Sequence, residues 1–308
     1  MHNLVNLITD LFGNELFQYS NTITYCLICV IILIIAQIVL FIIPKKGKCC
    51  MWFLVIFVLF GFVFNQYMVE VNRFDIEMGL EKPIKIVQLS DIHYNTTLPY
   101  SINDAIKKCN KEKPDIVVIT GDFKTNTKDG DLKDDCFKYL RHIRCEKIYA
   151  IYGNHDEFED MDLMDEKFSD SNIVILEDDE VKLDKNLYLF GARYSLQGNI
   201  KKNLRKLPKN SNLVYLNHIP TPVVKFLNDS DNSQDRKILF LTGHTHGGQM
   251  VFPWQNKKEI AQRMFKIDYL DGLEEINGQQ IYINKGIGSV YFPVRFGAKP
   301  EISVFNIK

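Results

Sequence analysis

The stretch "IKIVQLSDIH", residues 84–93, is an apolar run of strand-forming residues that ends abruptly in Ser90-Asp91-Ile92-His93. A short apolar run bounded by polar residues reads as a buried strand. Downstream, "SINDAIKKCNKEK" (101–113) sets Ile102, Ala105, Ile106 and Cys109 on one helical face, with Ser101 and Asp104 at capping-box spacing. "DIVVIT" (115–120) is then a second buried strand, so the unit is β-α-β.

The pattern continues with a helix carrying Leu132, Cys136, Phe137, Leu140 and Ile143, followed by the strand "KIYAIY" (147–152). Further apolar runs are "NIVIL", "NLYLFGA", "LVYLN", "KILFLTG", "QQIYIN" and "EISVFNI", with few helical stretches between them. Early parallel units followed by many strands predict an α/β fold, two packed sheets flanked by helices. Ligands of such sheets gather beyond the carboxyl ends of the strands.

The 308 residues carry a net charge of −1 with 24% charged side chains, which excludes disorder by composition and offers no basic excess for a nucleic-acid partner. The apolar residues are unevenly spread. Residues 23–43 and 49–69 are two 21-residue runs without Asp, Glu, Lys or Arg, separated by "PKKGK". About 20 such residues span a bilayer, so the runs predict a two-helix transmembrane hairpin and an integral membrane protein with the bilayer as a partner. Lys45, Lys46 and Lys48 favour an extracytoplasmic catalytic domain. The expected organisation is an N-terminal segment 1–22, the hairpin 23–69, a polar connector 70–83 and a catalytic domain 84–308. Of the seven cysteines only Cys109, Cys136 and Cys145 belong to that domain, an odd number that suggests no disulfide framework.

The residues just past each strand carry the chemistry. The first strand runs into Asp91 and His93, the second into Gly121-Asp122, and "KIYAIY" into Gly153-Asn154-His155-Asp156. "LVYLN" runs into His218, and "KILFLTG" into His244 and His246. Singly, each is an ordinary turn or loop residue. Together, five of the seven histidines stand at strand ends beside Asp, Asn or Gly, which loop composition alone does not explain. Imidazole, carboxylate and amide oxygen without thiolate suit Mn, Fe or Zn better than Mg or Ca, and the donors suffice for two ions. His244 and His246 alternate on an extended backbone and are read as ligands of separate metals, with Asp122 bridging.

Asp91-x-His93, Gly121-Asp122, Gly153-Asn154-His155-Asp156, His218 and Gly243-His244-Thr245-His246 resemble, in order, the five motifs of the calcineurin-like metallophosphoesterase superfamily. "GHTHGGQ", the two apolar runs, "KGIG" and "VRFGAKPE" further resemble its membrane-associated branch, which includes UDP-2,3-diacylglucosamine diphosphatase-type enzymes of lipid A synthesis. The resemblance implies two packed mixed β-sheets flanked by helices, an αββα sandwich, and a dinuclear centre of divalent transition metals. Asp91, His93, Asp122 and His246 would hold one metal; Asp122, Asn154, His218 and His244 the other. A hydroxide between ions about 3.5–4 Å apart would attack phosphorus in line. His155 would protonate the leaving oxygen, with Asp156 either orienting its ring or capping a helix that begins at "EFEDMDLM".

Arg193 in "FGARYS" and Arg295 in "PVRFG" are candidate clamps for a second phosphate or a carboxylate, or else ordinary surface arginines. The substrate expected is a phosphorylated small molecule or a lipid-linked pyrophosphate such as UDP-2,3-diacylglucosamine, which would require a cytoplasmic domain. The alternatives are a general phosphodiesterase or phosphatase and a non-catalytic metal-binding scaffold for a partner protein. The segment "QMVFPWQNKKEIAQRMF" is either a lipid-facing patch or a strand and helix of the core.

Overall fold

The computed structural model describes residues 67–94, 99–124, 136–156, 168–194, 199–229, 236–290 and 294–308, with isolated positions between 31 and 65. The described elements, in chain order, are β1 Glu70–Ile76, β2 Ile84–Leu89, α1 Pro99–Glu112, β3 Ile116–Thr120, α2 Phe137–Leu140, β4 Ile148–Ile151, β5 Ile173–Ile175, β6 Asp179–Asp184 and β7 Leu187–Gly191. They continue through α3 Ile200–Leu204, β8 Asn212–Leu216, α4 Pro220–Asn228, β9 Ile238–Thr242, α5 Lys257–Phe265, β10 Gly272–Ile276, β11 Gln279–Ile283 and β12 Glu301–Ile307.

The strands form two six-stranded sheets, β1-β12-β2-β3-β4-β5 and β10-β11-β9-β8-β7-β6. Both are mixed. In the first, β2 through β5 run parallel and β12 opposes β2; in the second, β11, β9, β8 and β7 run parallel between the antiparallel edge strands β10 and β6. Alternation along each strand then builds three apolar layers. Ile86, Val118, Leu239, Leu241 and Phe305 meet between the sheets. Val87 and Leu89 face the opposite side, under α1 and α2, while Tyr215 and Phe240 pack beneath α3, α4 and α5. This stacking matches the sandwich expected from the pattern of apolar runs.

Local details differ. The first helix begins at Pro99, two residues before the expected cap, because the fixed φ of proline suits a first helical turn. Ser101 therefore lies inside the helix, and Asp104 pairs with Lys108 at 2.6 Å instead of closing a capping box. Glu70–Ile76, expected as part of a polar connector, is a strand that pairs in parallel with β12.

The expected membrane hairpin requires correction. Among the described residues no helix is long and apolar enough to cross a membrane, which overturns the assignment as an integral membrane protein with two spans. Most of 23–43 and 49–69 lies outside the described residues, as do 1–22 and the expected helical positions before Cys136. An uncharged run is a statement about composition, whereas a span also needs an unbroken helix of about 20 residues.

Candidate metal centre

The strand order brings the carboxyl ends of β2, β3 and β4 in one sheet against those of β8 and β9 in the other. The backbone there is unusual: Asp91, His93, Asp122, His244 and His246 all have left-handed φ, between 44° and 70°. Non-glycine residues avoid this region, and such strain concentrates at functional sites. Gly153 is needed for a different reason, since a Cβ there would overlap Asp122 Oδ1.

Two ligand groups result. Asp91, His93, Asp122 and His246 form one, and Asp122, His218 and His244 the other, with the donor atoms of each within 4.8 Å of one another. Asp122 belongs to both, its Oδ2 lying 3.3 Å from His93 Nε2 and 3.3 Å from His218 Nε2. His93 Nε2 and His246 Nε2 are 3.1 Å apart, and His246 Nε2 is 3.3 Å from Asp91 Oδ1. Asn154 Oδ1 stands beside the second group, 2.7 Å from His244 Nδ1 and 3.0 Å from His218 Nε2.

A backbone carbonyl sets the His218 tautomer. His218 Nδ1 lies 2.6 Å from the Thr120 carbonyl, so that nitrogen carries the hydrogen and Nε2 points into the centre. His246 Nδ1 has two neighbours, the Gly288 carbonyl at 3.3 Å and the donor Arg295 Nη2 at 3.1 Å, so no single carbonyl sets its tautomer. Burial, helped by the His218 charge, pushes His244 down to about 3. Burial, then His93 and Arg295, holds His246 well below its ordinary value. Both rings are therefore neutral and ready to ligate.

The opposite holds across the shared carboxylate. Burial works to raise Asp122, but the facing His218 and His93 rings outweigh it and keep the carboxyl ionised. Burial likewise works against charge on His218, yet Asp122 and Asp91 push it up to about 10. Inward-facing ring nitrogens, buried carboxylates and a shared Asp122 fit two divalent cations.

His155 is the one imidazole of the five outside both groups. Its backbone N–H donates to Asp122 Oδ1 at 2.9 Å, and its partly exposed ring stands edge-on to His93, with centroids 4.9 Å apart. Among the described residues no partner reaches its buried Nδ1. Asp156 does not orient this ring. Its carboxyl group instead accepts the backbone N–H groups of Asp122, Phe123 and Gly153 at 2.7–2.9 Å, because those three amides converge where the turns after β3 and β4 meet. The helix it was expected to cap lies outside the described residues.

The two arginines differ in position: Arg193 stands away from the centre, and Arg295 packs against His246. Arg193 is on the surface, its guanidinium 3.0 Å from Glu177. Arg295 is fully buried, donates to the carbonyls of Gly288, Ala298, Lys285 and His246, and sets its Nη2 3.1 Å from His246 Nδ1, so it lies behind a ligand ring. Arg193 thus fits the surface alternative, and neither environment was legible along the chain: a glycine-flanked arginine after an apolar run says nothing about which carbonyls or carboxylates surround it. The carbonyls of Thr120 and Gly288 left no signal in the sequence, because a backbone oxygen has no residue type. In the aromatic segment, Phe265 packs 5.7 Å from the His244 ring, whereas Trp254 is exposed and stacks on Phe252.

The model of the calcineurin-like phosphoesterase family matches residues 84–270, more than half of the chain. The uncharacterized metallophosphoesterase YkuE of Bacillus subtilis is 28% identical over 250 residues, 73% of this chain and 79% of its own. The phosphodiesterase YaeI of Escherichia coli is 27% identical over 239 residues, 73% of this chain and 82% of its own. The crystal structure of TT1561 of Thermus thermophilus aligns with 67% of this chain and 91% of its own at 9% identity, with a TM-score of 0.45.

Proposed function

The chain belongs to the calcineurin-like phosphoesterase family and is a metal-dependent phosphoester hydrolase, and we propose that it cleaves phosphodiesters at the centre shared by Asp122. The observation that carries this is the pair of ligand groups meeting at one carboxylate. The name of the Escherichia coli relative supports a diester over a monoester.

Two bound cations, Mn before Fe or Zn for this oxygen and nitrogen donor set, would supply an acidified water and positive charge for the phosphoryl oxygens. Asp91, His93, Asp122 and His246 would hold one; Asp122, Asn154, His218 and His244 the other. Asp156 keeps Asp122 in place by gripping its backbone. His155, outside both groups and partly exposed, would contact the substrate and carry the proton to the leaving oxygen. No nucleophilic side chain is needed.

The test is hydrolysis of bis-p-nitrophenyl phosphate with added Mn²⁺, beside p-nitrophenyl phosphate and UDP-2,3-diacylglucosamine. Cleavage of the diester that Asp122→Asn and His155→Ala both abolish supports the assignment. Cleavage of the monoester or the nucleotide lipid alone would replace the substrate class; metal binding without any cleavage would favour a scaffold.

A further inference from the structure

A buried glutamine in an apolar layer needs explaining. On β2, Gln88 follows Ile84 and Ile86 on the face that meets the second sheet, and it is fully buried. Burying an amide among aliphatic groups is costly unless hydrogen bonds offset it. Its Nε2 donates to Thr120 Oγ1 at 2.9 Å and to the Thr242 carbonyl at 3.0 Å, while among the described residues its Oε1 has no partner.

The Thr242 carbonyl settles which way the amide points, since only the NH₂ end can face it. The rest runs in one direction. Thr120 Oγ1 accepts from Gln88 and donates to Ser90 Oγ at 2.7 Å; Ser90 Oγ donates to Asp91 Oδ2 at 2.5 Å. The backbone N–H of His244 is shared between the two carboxylate oxygens, 3.0 Å from Asp91 Oδ2 and 3.1 Å from Oδ1. The Ser90 hydroxyl is what distinguishes the two: it reaches Oδ2 alone, and Oδ1 is the oxygen 3.3 Å from His246 Nε2. The approach depends on Gly243, where a Cβ would overlap both Ser90 Oγ and Asp91 Oδ2.

We propose that Gln88, Thr120 and Ser90 form a one-way hydrogen-bond relay that orients the Asp91 carboxylate, presenting Oδ1 to the cation and anchoring it to both sheets at once. The proposal rests on the two-cation reading above. Gln88, Thr120 and Ser90 are positioning residues: none touches a substrate, and each acts through Asp91. The Thr242 contact explains the choice of an amide, because Gln88 thereby ties Asp91 to the strand that leads into His244.

The experiment is calorimetric titration of the full chain with Mn²⁺ alone, without substrate, for wild type, Thr120→Val, Thr120→Ser and Ser90→Ala. Loss of a group that orients a ligand weakens metal binding by about 10–100-fold, which is the expectation for Thr120→Val and Ser90→Ala, with Thr120→Ser near wild type. Simple destabilisation would lower the melting temperature of the metal-free protein without separating Val from Ser in Mn²⁺ affinity, and that result overturns the relay. Should Thr120→Val fail to fold, Ser90→Ala alone decides, since it removes only the hydroxyl that touches Asp91. A wild type that takes up no Mn²⁺ overturns the two-cation reading and the relay with it; wild-type uptake equalled by both relay variants overturns the relay only.

Discussion

Asp156 Oδ2 accepts the backbone N–H of Asp122 at 2.8 Å, so the carboxylate that both ligand groups share is held by a second carboxyl group 34 residues along the chain. That grip is structural. Asp156→Ala leaves the buried amides of Asp122, Phe123 and Gly153 without acceptors and should cost about 3 kcal/mol. Urea unfolding of the metal-free protein measures this, and a midpoint equal to wild type would contradict it.

Because Asp122 serves both groups, its loss should empty both. Metal analysis after dialysis should find about two Mn per wild-type chain, and far less than one in Asp122→Asn. His244→Ala, which touches only the second group, should retain about one. Chelation followed by Mn²⁺ addition should abolish and restore hydrolysis in wild type alone.

Arg295 donates to four backbone carbonyls, those of Gly288, His246, Ala298 and Lys285, from a fully buried position. Arg295→Ala should destabilise by roughly 3 kcal/mol or more, and Arg295→Lys should not rescue, since an ammonium cannot reproduce the planar fork. Exposed Arg193, paired with Glu177, should be replaceable by Ala without a change in KM. A rise in KM for Arg193→Ala would restore it as a substrate contact.

Glu70, at the start of the edge strand β1, lies 3.0 Å from both Lys285, just past β11 of the other sheet, and Lys299, just before β12. Burial tends to raise the Glu70 carboxyl, but the two lysines outweigh it and lower it below 4.5. A depressed folded value means stability present above 4.5 and lost as the pH falls through the folded value. Burial tends to lower Lys285, but Glu301 and Glu70 raise it above 10.5, so its contribution is present below 10.5 and lost as the pH rises through the folded value. Amide exchange in β1, relative to β3, should therefore be slowest between these limits. Glu70→Gln should remove the acidic limb, and an unchanged acidic limb would refute the assignment.

The strands legible in the sequence are those with an apolar run, most of them in the sheet interiors. β3 and β9 are almost wholly apolar, and β2 and β8 largely so, because apolar layers cover them on either side. Strands β1, β6 and β10 lie at sheet edges, with polar, half-exposed residues that look like loop, and no apolar run announces them. At an edge the neighbouring strand supplies the order, and local composition does not record it.

The same division runs through the site. Its chemistry was legible along the chain: imidazoles, carboxylates and an amide placed just beyond buried strands, since strand ends and residue types are local properties. Folding alone revealed that Asp156 grips the Asp122 backbone, that Arg295 closes on carbonyls, and that Gln88 reaches from one sheet to the other. Those contacts join residues up to 154 positions apart, and a hydrogen bond's partner is set by how strands pack, which the identity of the donor does not encode.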